Sequence, residues 1–143
     1  MAIAISGGST SFTSTISASP SANRTVTVPD ATFTVAASDA VQTFSASQRG
    51  TVTTDNDGSF DMNVTNNFKC TPTGSITLTF TNITAGQSGF ILLVNGSNYT
   101  VSAHANTEVA TGALATLSAT GTYLLSYFSD GTNVFVVNSG ALA

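Results

Sequence analysis

Five consecutive apolar residues, Phe90, Ile91, Leu92, Leu93 and Val94, stand between a Gly/Ser-rich segment and an Asn95-Gly96 pair. The run is too short for a helix and does not alternate, so it reads as a strand covered on both faces. Asn95-Gly96 supplies the left-handed conformations of a tight hairpin, with Tyr99 and Val101 on the return strand. Upstream, Ile76, Leu78 and Phe80 alternate with Thr77, Thr79 and Thr81, the pattern of a half-buried strand. A small antiparallel sheet usually covers one face and wets the other. A strand that needs cover on both faces implies a body beyond the domain's own core, and a copy of the chain is the simplest one. Ile91 and Leu93 are the positions expected at that contact.

The rest of the chain carries the same punctuation. Phe60, Met62 and Val64 follow a turn at Asn56-Asp57-Gly58, and Pro72-Thr73-Gly74 leads into the alternating strand. Near the end, YLLSYF and NVFVV flank Ser129-Asp130-Gly131-Thr132, an Asp-Gly hairpin. Residues 102–121 are small and polar, a long connection. At least six strands from about Gly50 onward, with no helix of three turns, predict an all-β fold. The expected architecture is an antiparallel β-sandwich, jelly-roll-like, over residues 48–143. Residues 1–47 are expected to form an extended N-terminal arm with short strands, such as Thr25-Val26-Thr27-Val28 before Pro29. Within the first 22 residues Ile3, Ile5, Phe12 and Ile16 are spaced too thinly for a core. They suit strand addition to a neighbour's edge, and are expected interface residues.

Composition narrows the function. Only 7% of the 143 residues are charged while 41% are hydrophobic, against about 25% charged in an ordinary soluble domain. Ser, Thr, Asn and Gly take the place of Lys and Glu, as suits a β-rich exterior protein. The net charge is −4, and Arg24, Arg49 and Lys69 are the only cations. Nucleic-acid binding needs clustered Lys and Arg, so no nucleic-acid partner is expected. No apolar stretch is long enough for a membrane-spanning helix, so no membrane partner is expected. The N-terminus lacks the basic and apolar regions of a signal peptide. The sequons at Asn23, Asn63, Asn82, Asn95 and Asn98 are therefore read as unmodified. Cys70 is alone, which rules out an internal disulfide.

Chemistry has few candidates. Asp55, Asn56, Asp57 and Gly58, with Asp61 nearby, place oxygen ligands in a tight loop, as calcium requires. The EF-hand spacing fails, with Thr53 at its first position and Val64 at its twelfth, and a hairpin turn accounts for the same residues. A glycosidase carboxylate pair in that turn would lack aromatic platforms beside it. His104 is the only histidine, and Gly86-Gln87-Ser88-Gly89 lacks the spacing of a nucleophile elbow. Zinc needs more ligands than the chain offers. No catalytic residue, metal or cofactor is expected.

Some segments have a familiar look. ANRTVTVPDATFTVAA resembles Arg-Thr-x-Thr-x-Pro-Asp segments of tailed-phage fibre and virion proteins. Gln48-Arg49-Gly50, Phe68-Lys69-Cys70, Gly86-Gln87-Ser88-Gly89 and the stretch from Tyr127 to Val134 resemble a module of tailed-phage structural proteins. The chain departs from that pattern at Ser102-Ala103-His104-Ala105, where relatives often carry Trp. The resemblance implies β-structure, frequent trimers and no catalytic residues. Together with the low charge and the doubly apolar strand, it leads to an expectation. The chain is a homotrimeric capsid decoration, or cement, protein on the outer surface of a tailed-phage head, in contact with the major capsid protein. The alternative is a tail-fibre or tailspike subunit that binds a host receptor. For that alternative, 143 residues beginning at Met1 are few.

Overall fold

A computed structural model describes residues 47–143. Ile3, Ile5, Phe12 and Ile16, and the arm expected to carry them, lie outside the described residues. The described part is all-β apart from one short helix. Its elements are β1 (Val52–Thr54), β2 (Ser59–Asp61), β3 (Asn67–Cys70), β4 (Ile76–Thr81), β5 (Ser88–Asn95), β6 (Val101–Ala103), β7 (Thr107–Val109), α1 (Ala113–Leu117), β8 (Gly121–Ser129) and β9 (Val134–Leu142).

The strands form a six-stranded sheet in the order β1-β3-β5-β8-β9-β7 and a three-stranded sheet in the order β2-β4-β6. The antiparallel sandwich expected from the turn signals is not what forms. β1 pairs with β3 and β3 with β5, all parallel, and β2-β4-β6 is parallel throughout. The chain alternates between the sheets, making three turns of a solenoid-like coil. Only the end matches the expectation. β8 runs antiparallel to β5, and β9 returns antiparallel to β8 across the Asp130-Gly131 turn. β7 adds to the far edge, parallel to β9.

The turn motifs were legible but serve a different geometry. Asn56-Asp57-Gly58 and Asn95-Gly96 are corners between the two sheets rather than tips of hairpins. The corners after β1 and after β2 are tied to the next turn of the coil by side chains. Thr71 N donates to Asn56 Oδ1 at 2.7 Å, Asn82 Nδ2 donates to Asp61 Oδ1 at 2.8 Å, and Gln87 Nε2 donates to the Met62 carbonyl at 2.9 Å. A two-residue hairpin would satisfy its own backbone locally. These wider corners instead find partners one coil turn away, which fixes the parallel register.

The core lies between the sheets. Phe60, Leu78 and Phe80 point inward from the small sheet. Phe68, Cys70, Ile91, Leu93, Tyr123, Leu125 and Tyr127 meet them from the large one. The parallel register stacks Phe68 beside Ile91, and Cys70 beside Leu93. Four rings form a chain through this layer. Their centroids are 5.1 Å apart for Phe68–Phe60, 5.5 Å for Phe60–Phe80 and 5.1 Å for Phe80–Tyr127, all tilted. Each such pair contributes about 0.5–1.5 kcal/mol beyond its buried area.

Candidate interaction surface

Alternation along β5 decides which residues are free. Ile91 and Leu93 are 0% exposed and belong to the chain's own core. They are not available as the contact positions expected of them. The outward residues are the alternate set, with Phe90 51% exposed and Leu92 and Val94 half-buried. The shift is by one residue, which on a strand means the opposite face. No signal in the run itself sets its phase. Asn95 looks like an outward turn residue, yet its side chain is buried. Asn95 Nδ2 donates to the carbonyls of Tyr99 at 2.8 Å and Leu117 at 3.0 Å, and Oδ1 accepts from Tyr99 N at 3.0 Å.

The register carries the apolar surface across the sheet. Leu92 lies opposite Leu124, and Phe90 opposite Ser126. Ser126 in turn faces Val137, and Phe128 faces Phe135. Phe128 is 52% exposed and Val137 58%, with Leu124 and Phe135 also open to solvent. The six-stranded sheet is therefore apolar on both faces: the inner one covers the core, and the outer one has no covering layer among the described residues. Two open grooves flank its centre, each of about 410 Å³. One is lined by Val52, Asn67, Lys69, Phe90, Leu92 and Leu124. The other is lined by Glu108, Val109, Asn133, Phe135 and Val137. Lys69 and Glu108 are the charges at these two borders. The remaining described charges, Arg49, Asp55, Asp57, Asp61 and Asp130, lie before β1, in corners or at strand ends.

The residues singled out for chemistry are dispersed and structural. Asp57 N donates to Asp55 Oδ1 at 3.4 Å, and Ser59 N to Asp57 Oδ1 at 2.8 Å, so the acidic loop folds onto its own backbone. Burial, then the neighbouring Asp57, raises the Asp55 pKa above its ordinary value. Asp61 is held lower by the hydrogen bonds it accepts from Asn82 and Asn63 N. Among the described residues no three His, Cys, Asp or Glu side chains converge. His104 is exposed, and its Nδ1 lies 2.7 Å from Asn106 Oδ1. Cys70 sits at an inward position of β3, where burial first, and the charges of Asp55 and Asp57 next, push its thiol up to about 12. A thiol so placed is a small hydrophobe rather than a nucleophile. Gly86 and Gln87 lie in the corner before β5, with the Gln87 amide bound to the preceding coil turn, and Ser88 and Gly89 begin the strand.

No helix among the described residues is long and apolar enough to cross a membrane. No protein-family model, no curated protein and no solved structure matches this chain.

Proposed function

We propose that the chain is a structural subunit of a virion: a homotrimeric decoration protein on the outer surface of a tailed-phage head, bound to the major capsid protein. The observation that carries this reading is the outer face of the six-stranded sheet, where Phe90, Leu92, Leu124, Phe128, Phe135 and Val137 form one apolar surface. A contiguous patch of this kind on a sparsely charged protein supports a contact site. The mechanism is mechanical. Apolar area removed from water stabilises the assembly by about 25 cal/mol per Å². A trimer that touches several shell subunits at once multiplies modest contacts through avidity.

The parallel coil favours a second reading, a tail-fibre or tailspike subunit that binds a host receptor. Stacked coil turns contact only their neighbours and extend readily into shafts. Gold-labelled antibody against the protein, imaged on intact virions by electron microscopy, separates the two. Label distributed over heads supports decoration, and label on tails transfers the proposal to the fibre reading. Virions without label overturn both.

A further inference from the structure

We propose that the outer face of the six-stranded sheet is closed by further copies of the chain, with Lys69 of one copy paired to Glu108 of the next. The inference rests on reading the chain as a self-associating subunit, and adds which face associates and in what register.

Three observations carry it. The first is the placement of charge. Lys69 is exposed on β3, beside Leu92 and Leu124 in register. Glu108 is exposed on β7, beside Phe135, which faces Phe128. The two charges border an otherwise uncharged face.

The second is their separation. β3 and β7 are four strand steps apart in the sheet, roughly 19 Å at the usual strand spacing. Lys69 is level with Leu92, and Glu108 with Ser88 by way of Phe135 and Phe128. That adds four residues along the strands, roughly 13 Å. Within one copy they are too far apart to meet. Between copies, a face with its cation at one border and its anion at the other is complementary to itself. The same residue pair then recurs at every junction of a closed ring.

The third is size. The long strands β5, β8 and β9 with their short flanking strands present on the order of 500–600 Å² of sheet plane. In a closed ring that face is divided between two neighbours, so each junction is smaller than the roughly 800 Å² per partner of a standard interface, and the ring is held by all of its junctions together. A core free of charge with a charged rim is also the usual anatomy of such an interface.

The test is charge exchange in the full-length chain. Lys69→Glu and Glu108→Lys are prepared singly and together, and mass is measured by light scattering across protein concentration. Both side chains are exposed, so the variants should fold, which circular dichroism checks. The expected result is that each single variant needs about tenfold or more protein to assemble, because like charges face one another at each junction. The double variant should recover assembly, since every junction again joins one cation to one anion with their positions exchanged. Single variants that assemble like the wild type, or a double variant no better than the singles, overturn the proposal. If the wild type is still a trimer in that case, the structural-subunit reading stands and another surface carries the association. A monomeric wild type overturns this proposal and the trimer, while the virion labelling decides decoration separately.

Discussion

Gly89 marks the tightest point in the coil. A Cβ at this position would lie 1.7 Å from the Asn66 carbonyl oxygen and 2.7 Å from the Tyr127 hydroxyl. That carbonyl accepts from Phe90 N and from the Tyr127 hydroxyl, each at 3.0 Å, so it cannot retreat without losing two bonds. Gly89→Ala should therefore destabilise by more than about 3 kcal/mol, an effect of the size reserved for backbone clashes and broken buried networks. Chemical denaturation of the variant measures it. At the opposite end of the energy scale, Asp130 accepts from Asn133 N at 2.7 Å and Thr132 N at 2.8 Å. These bonds lower its pKa below the ordinary 3.8. A carboxylate with a depressed folded pKa contributes stability that is present above the unfolded value and lost as pH falls through the folded one. Asp61 has the same sign, and Asp55, with its raised pKa, the opposite one. Melting temperature should hold above about pH 4 and fall below it. Asp130→Asn, which keeps the acceptor but cannot titrate, should flatten that fall in a thermal scan at stepped pH.

At the scale of elements, the sequence announces strands and turns far better than it announces their pairing. The β8–β9 hairpin is legible because Asp130 closes its turn on bonds three residues long or shorter. Asn56 and Asn95 carry similar turn chemistry, but each has a remote partner. Asn56 is bound by Thr71, fifteen residues on, and Asn95 reaches Leu117 at the end of α1, twenty-two residues on. Nothing local distinguishes an Asx residue that closes a hairpin from one that braces a corner, so a parallel coil reads as an antiparallel sandwich. The phase of the 90–94 run was hidden for the same reason. Asn95→Ala would leave the Tyr99 and Leu117 carbonyls and the Tyr99 amide short of a partner. Each such loss costs about 1–3 kcal/mol, so the variant should lose about 3 kcal/mol or more in a denaturant titration. The loosened contacts should centre on the β5–β6 corner and α1.

For the whole molecule, the central consequence is that the two faces of one strand differ, one packed in the chain's own core and the other open to solvent. Neighbouring residues on β5 should fail in different ways. Leu93→Asp places a charge at a site that is 0% exposed, and should unfold the chain. Leu92→Asp places it on the outer face, and should leave a folded protein that no longer associates. Circular dichroism and light scattering on the pair check this together. The coil also has a polarity. One end is sealed, because β8 lies antiparallel against β5 and is itself backed by β9. The other end, among the described residues, is β1, three residues with a single neighbour in its sheet. Within the coil, from β1 to β5, loss of structure should therefore travel in one direction. Amide exchange should be fastest in β1, slower in β3 and slowest in β5 and β8, a gradient measurable by hydrogen–deuterium exchange. A rope spliced at one end frays only from the other, and among the described residues the unspliced end of this coil is β1.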